Sequence, residues 1–523
     1  MDEITRAVTI FNPAFFRKGI LFLLISTCFS PAFSQTGEKA RGQKRKVELI
    51  HADEYKPDEK LGRKLGKFIG NVAFKHNEII MTCDSAYFYQ AENQLKAFSR
   101  VHVEQGDTLD IYGDYLYYDG IEEIANLDGN VILVDKETTL KTRSINYDVK
   151  QKIARYTENG KIINGENTLT SRIGTYDSGS KMFYFKDSVK IVNPDFVMRA
   201  DTMDYNTESE IVYFKGPAEV EGDSVYMYCE KGWYDTKNDV ARIWQNALID
   251  NRQQIIEGDS LYYEDSTGFG EAFNNITIKD TTNSVIVKGD YARYFKEPER
   301  FMVTKRAMFI QVSKEDSLFL HSDTISSVTI TDTSGLSFRL MRSWRACKIF
   351  SAGLQAKCDS LSYSFKDSVI RMYYKPVIWS EKNQLTSDSM AIFTKNSSAD
   401  RMELYNSAFV ASMVDSIRFD QIKGRNLVGL FRENKLYKIL IEGNGESIYH
   451  LLEKEQLIGV THNKSSSIEI IVEDGKINEI IERQNPDGKL DPPLLNPPDK
   501  MKLPGFSWLD ELRPKKVEDI FKK

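Results

Sequence analysis

Ile256-Glu257-Gly258-Asp259-Ser260-Leu261-Tyr262-Tyr263 is one copy of a pattern that returns along the chain, as in Met81 to Phe88 and Ala356 to Tyr363. Its consensus is apolar-x-small-Asp-Ser/Thr/Tyr-apolar-x-aromatic. Apolar and polar residues alternate within it, which is the period of a strand rather than a helix. Ile256 and Gly258 share one parity, whereas Leu261 and Tyr263 take the other. The phase slips at Asp259, so each copy is expected to carry a bulge or corner at that point. Polar turn signals, such as Asn206-Thr207-Glu208-Ser209 and Asp265-Ser266-Thr267-Gly268, separate the apolar stretches. Two strands per copy follow from that punctuation.

Working outward, Tyr118, Tyr147, Tyr176, Tyr205, Tyr234 and Tyr263 stand 29 residues apart without a gap. Three apolar columns keep the same step. One is Ile111, Leu140, Leu169, Met198, Met227 and Ile256; another is Leu133, Ile162, Ile191, Val220, Ile249 and Ile278. The third is Ile124, Ile153, Met182, Ile211, Val240 and Phe269. Looser copies, marked by Asp53, Asp84, Asp290, Asp323, Asp359 and Asp388, carry the repeat over about 47–480. The expected organisation is repeats over 47–334, an insertion over 335–353, further repeats over 354–484 and a proline-rich arm over 485–523. Half of the 14 prolines lie in 486–514, so the sheet is expected to stop before them. The arm's aromatic end, Gly505-Phe506-Ser507-Trp508-Leu509, offers anchors for the protein's own edge or for a partner. A unit of this size cannot bury its apolar face alone; stacked units make a common core.

At the N-terminus, Arg17 and Lys18 precede an apolar run from Gly19 to Phe29 and a small-x-small site at Ala32-Phe33-Ser34. This layout predicts a cleavable export signal over 1–34, followed by a solvated linker over 35–46. Cys28, preceded by Ser26-Thr27, matches a lipid-attachment box poorly. The net charge of −6 leaves no basic excess for nucleic-acid binding.

No nucleophile elbow, phosphate-binding glycine loop or paired metal-ligand motif is present, and the six histidines are scattered. Neither a catalytic residue nor a metal site nor a cofactor is expected. The Asp column (Asp84, Asp114, Asp201, Asp259, Asp290) is the best candidate for a carboxylate ladder. Arg143 and Arg172 replace it in two consecutive repeats, however, and permanently charged guanidinium groups do not belong in a metal row. Exposed corner residues making local turn bonds and ion pairs are the simpler expectation. Cys83, Cys229 and Cys358 fall in the small column, beside Gly113, Thr142, Ser171, Ala200, Gly258 and Gly289. A disulfide between Cys83 and Cys229 is excluded because they stand five repeats apart, whereas Cys347 with Cys358 is feasible. Small residues recurring beside large aliphatics point to an under-filled interior able to admit acyl chains. The columns of Ile111 and Leu133 are accordingly the candidate lipid groove, two stripes facing each other across a seam. A structural or adhesive solenoid with a dry core, and a polysaccharide-degrading enzyme on a β-helix, remain the alternatives.

The Gly-Asn-Val openings at 70–72 and 129–131, Cys-Asp-Ser-Ala-Tyr at 83–87 and Gly-Asp-Ser-Leu-Tyr-Tyr at 258–263 resemble the OstA family of lipopolysaccharide-transport proteins. Gln421-Ile422-Lys423-Gly424-Arg425-Asn426 and Arg513-Pro514-Lys515 look like its larger members in Bacteroidota. The resemblance implies an elongated β-jellyroll with two sheets in a V-shaped groove, repeating every ~29–31 residues. It also implies a periplasmic, non-enzymatic role with lipopolysaccharide as ligand. Its partners would be bridge or outer-membrane translocon proteins joined by edge-to-edge β-stacking.

Overall fold

In the computed structural model the described residues are 46–57, 65–107, 109–223, 225–252, 254–281, 284–313, 317–395, 398–432, 435–454, 456–473, 476–492 and 501–522. The expected export signal and all of the linker but Lys46 lie outside them. Among the described residues the regular elements are antiparallel strands, apart from two short 3-10 helices at Asp510–Leu512 and Val517–Phe521. The all-β, two-strand repeat expected from the sequence is what the chain forms. Two compact units divide it, one running to Asn251 and the other beginning at Arg252.

Each repeat is a bent hairpin. Leu109–Asp119 pairs with Ile124–Asp135, but the register slips between Tyr112 and Tyr115. The same slip recurs between Lys186 and Val189 and between Glu257 and Ser260, confirming a corner at the Asp column. Where the corner breaks a strand outright, the halves join different ladders. Gly160–Asn164 pairs with Thr138–Thr142, while Ile153–Asp148 and Ala154–Tyr147 are partners on the other side. The corner is made by two successive left-handed residues on the opposing strand, such as Gly129 and Asn130 (φ 79° and 48°) or Asn274 and Asn275 (54° and 51°). Glycine and asparagine tolerate that region best, hence the Gly-Asn-Val openings.

The corner also explains the Asp column. Its side chain bonds the left-handed residue 16 positions later: Asn130 Nδ2 donates to Asp114 over 2.7 Å, and Asn275 Nδ2 to Asp259 over 3.1 Å. Asn246 Nδ2 donates to Glu230 over 2.6 Å, and Arg100 Nε to Asp84 over 2.9 Å. Where arginine stands in the column the pair is reversed, as Arg172 Nε to Asp187 at 2.5 Å and Arg143 to Glu158 at 3.7 Å. These are solvent-facing corner pins, and exposed pairs of this kind contribute little to stability.

The small column lies just inside the corner, where neighbouring side chains fill the room. A Cβ on Gly289 would sit 2.4 Å from Val303, one on Gly258 3.3 Å from Leu261 and one on Gly113 3.4 Å from Leu127. The under-filled interior inferred from these residues is therefore not found at their positions. Polar members satisfy the carbonyl two residues on: Ser171 Oγ reaches Ile173 O at 3.0 Å and Ser322 Oγ reaches Thr324 O at 2.9 Å. Burial pushes the thiol of Cys83 up to about 11 and that of Cys229 up to about 12, as fits cysteines used for size. Cys347 and Cys358 are direct cross-strand partners, both buried.

The insertion expected over 335–353 takes the form of longer strands, Leu318–Thr331 and Ser337–Phe350, paired along their length. The sheet also runs further than the prolines suggested. Asp487–Asp491, a proline-free stretch, pairs with Val460–Lys464.

Residues 501–522 then fold back over their own unit as a strap. Glutamines in three repeats hold it. Gln421 Nε2 donates to Met501 O (2.9 Å) while Gln421 Oε1 accepts from the Leu503 amide (2.8 Å). Gln384 repeats both bonds with Ser507 O (2.7 Å) and the Leu509 amide (2.7 Å). Gln355 accepts from Arg513 Nε at 2.7 Å. Leu503 packs into the cluster of Phe409, Ala411, Ile448 and Val460, with Phe506 and Trp508 against Phe419. The aromatic anchors of the arm thus dock on the protein's own sheet.

Candidate functional site

The two proposed groove columns do not face each other. Ile111 is the direct partner of Leu133, Leu133 of Leu140, Leu140 of Ile162 and Ile162 of Leu169. The alternation continues through Ile191, Met198, Val220, Met227 and Ile249. In the second unit Ile256 pairs with Ile278. The two columns are therefore one uncharged aliphatic stripe along a single ladder. The reason is the hairpin: Ile111 stands eight residues before Asp119 and Leu133 nine after Ile124, the extra residue being taken up at the corner, so antiparallel pairing makes them neighbours.

What faces the stripe across the corner is the tyrosine ladder. Phe74, the ladder partner of Met81, meets Phe88 at a ring distance of 5.3 Å, while within the tyrosine ladder Tyr176 stacks on its strand partner Phe183 at 4.2 Å. The tyrosines of the 29-residue column stand near the outer ends of their strands and reach over to the outer ends of the aliphatic ladder. The Tyr118 hydroxyl lies 2.6 Å from His76 Nδ1, and Tyr147 donates to Gln105 Oε1. Tyr176 donates to Asp135 Oδ2 over 2.7 Å and Tyr205 to Asn164 Oδ1 over 2.9 Å. Each rung joins residues 41 or 42 positions apart. Asp135 is further held by Lys181 Nζ at 2.8 and 2.6 Å. Burial drives all four phenol pKa values upward, so the hydroxyls stay protonated donors.

Exposure along the stripe changes with the rungs. Ile111, Leu133, Leu140, Ile162, Leu169 and Met198 are each 0% exposed, and Tyr118 and Tyr147 are too. Later in the same unit Val220 and Ile249 rise to 7%, and Met227 and Tyr234 are half-buried. There the Tyr234 hydroxyl donates to Asp239 of its own hairpin over 2.9 Å. In the second unit Ile256, Ile278, Tyr263, Tyr294, Phe301 and Phe309 are likewise half-buried, while Leu261 and Val303 near the corner stay covered. The rung residues His76, Gln105, Asp135 and Asn164 were not singled out from the sequence. Their signal is a polar position that recurs at 29 or 30 residues, 41 or 42 before each tyrosine.

Clefts on the outside of the corner are polar by contrast. One of about 680 Å³ is lined by Arg306, Asp323, Trp344, Arg345 and Asp359, among others. Among the described residues no cluster of three or more histidine, cysteine or acidic side chains is arranged to hold a metal.

Residues 44–201 match the family model described as OstA-like protein. No curated protein matches the chain. Among solved structures, a similar one is LptH from Pseudomonas aeruginosa, described as the LptA homologous periplasmic component of the conserved lipopolysaccharide transport device. It is 13% identical, over 20% of this chain and 79% of that one, with a TM-score of 0.19. The assignment of fold rests on strand register rather than on that likeness. Sequence motif, corner geometry and family model coincide over one stretch: residues 44–201 are OstA-like.

Proposed function

We propose that the chain is a periplasmic lipopolysaccharide-binding and transport protein that shields acyl chains against its apolar inner face during outer-membrane assembly. One observation carries this reading: an uncharged aliphatic stripe, kept in register repeat after repeat, is only half-buried at Met227 in one unit and at Ile256 and Ile278 in the other. A core serving stability alone gains from covering such side chains, each of which contributes roughly 1.5–3 kcal/mol when fully buried. Leaving them half-covered suits an apolar ligand. Each methylene withdrawn from water onto such a face contributes ~0.8 kcal/mol. Similar successive positions let a chain move between sites without a deep well at any one of them. The OstA-like match over 44–201 and the export layout at the N-terminus support the same role. For partners, the exposed strands Glu48–His51 and Glu54–Pro57 at the start of the sheet are suited to edge-to-edge pairing.

A dry structural core has its own supporting observation, the complete burial of the stripe from Ile111 to Met198. Native mass spectrometry of the full chain, purified from cells that make it, separates the two. Co-purifying lipid masses that leave on collisional activation are expected. A lipid-free, fully folded protein would favour the dry solenoid.

A further inference from the structure

We infer that the four tyrosine rungs are a latch that seals the interior over residues 72–214, so that acyl chains reach the inner face only beyond the last rung. This rests on the lipid-shielding reading and locates its ligand. Each rung links the outer ends of the two ladders, the place where a bent sheet would otherwise gape. The paired residues are among the most covered polar groups in the chain: His76 is 2% exposed, Asp135 3%, Asn164 8% and Gln105 9%.

The third rung is the strongest barrier. Its Asp135 carboxylate accepts from the Tyr176 hydroxyl and holds the Lys181 ammonium, all at the mouth. An acyl chain entering there has to part a buried, hydrogen-bonded charge pair and leave its members unpaired in an apolar setting, which is costly. Beneath the rungs, Phe74, Phe183, Phe185 and Phe214 occupy the interior that a lipid tail would need.

The sequence shows where the latch stops. The residue 41 positions before Tyr234 is Asn193, whose amide donates to Asn167 and whose carbonyl accepts from the Asp195 amide. In the other unit the Tyr263 hydroxyl likewise turns to its own hairpin, donating to Asp265 over 2.9 Å. Val220, Met227 and Tyr234 gain exposure at this point, within the same unit as the four rungs.

The test uses the full wild-type chain and lipid A bearing a diazirine in one acyl chain, with adducts mapped by peptide mass spectrometry after irradiation. Adducts are expected at Met227, Tyr234, Ile256, Ile278 and Phe309, and on the order of tenfold less over 111–205, the difference that about 1.4 kcal/mol of closure produces. A triple variant, Tyr147→Phe with Tyr176→Phe and Tyr205→Phe, keeps the ring volumes and removes three rungs. Adducts should then spread to Ile162, Ile191 and Met198. Wild-type adducts as frequent at Met198 as at Met227 would overturn the latch while sustaining lipid binding. A triple variant that melts cooperatively yet gains no adducts would show that the rungs do not seal. No adduct anywhere in either protein would overturn the lipid reading and this inference with it.

Discussion

Replacing Gln421 by alanine should undock the strap locally without unfolding the repeats beneath it. Gln421 is 1% exposed and makes two bonds to strap backbone, one to Met501 O and one from the Leu503 amide. With each net hydrogen bond contributing ~1 kcal/mol, the pair holds the strap by about 2 kcal/mol, a factor of roughly 30 in the docking equilibrium. The substitution also leaves the Leu503 amide, on a residue only 3% exposed, without its acceptor. Hydrogen exchange followed by mass spectrometry on the intact chain is the assay. Peptides covering 501–506 should exchange about 30-fold faster when opening is fast relative to exchange. Peptides covering 507–513 should change less, since Gln384 and Gln355 clamp them separately. Unchanged protection at Leu503 would refute the clamp. Equal loss of protection across the strands beneath would show that Gln421 supports the sheet rather than the strap.

Other outcomes follow from single contacts. Gly174→Ala forces a Cβ to 2.3 Å from the Tyr156 ring and should destabilise by roughly 1–3 kcal/mol in urea melts, whereas Gly216→Ala, with open space at its Cβ, should be near neutral. Arg172→Asp should lower the melting temperature of the first unit slightly, and adding Asp187→Arg should restore it, because the corner pin works in either polarity. His321 packs on Phe521 of the strap at 4.6 Å, its Nδ1 lies 2.7 Å from Ala307 O, and Asp323, Lys348 and Arg306 face it. Burial, ahead of the other influences, lowers its pKa below the ordinary histidine value of 6.5. The unfolded chain therefore takes up the proton first, and stability should be full above about 6.5 and fall as pH drops below it. A His321→Gln variant should flatten that slope between pH 7.5 and 5.5, and an unchanged slope would clear His321 of responsibility.

Periodicity made the backbone legible and left the inner face ambiguous. The phase slip at Asp259 located the corner because strand parity is strict: one extra residue turns every later side chain to the other face. The bonds of the Asp column were also readable, since arginine in two repeats excluded a metal row and charge reversal at 15 or 16 residues preserves a pin. The placing of Ile111 and Leu133 on opposing stripes failed because a column shows which residues share an environment but not which columns are neighbours. That needs the turn between them, here the residues joining Asp119 to Ile124. The rung partners were hidden for a different reason. His76, Gln105, Asp135 and Asn164 share an ability to accept a hydrogen bond rather than a residue type, so no column of like residues marks them. The strap glutamines were missed in the same way: Gln355 and Gln384 each stand four residues before an aspartate of the repeat, a regularity that acquires meaning only once a chain lies across them.

The separation of corner from mouth is what allows one repeat to serve two ends. Corner residues carry left-handed backbone, small side chains and a pin in repeat after repeat, with the corner at Asp201 an exception, so the ladder register is the same whether the interior is closed or not. Mouth residues are free of those constraints and differ from repeat to repeat. A tyrosine with an acceptor 41 or 42 residues earlier closes the bent sheet over an aromatic filling. Tyr234, whose hydroxyl donates instead to Asp239 of its own hairpin, stands beside Met227, and both are only half-buried. Exchanging a single residue at the mouth thus shifts a repeat between covered and uncovered without touching the strand pairing beneath. By this logic Asn164→Ala, which removes the acceptor of the last rung from a residue already in strand geometry, is the smallest change able to shorten the latch by one repeat. The variant should raise lipid A adducts at Met198 and leave those at Met227 in place; unchanged adducts at Met198 would mean that closure depends on more of the repeat than its rung.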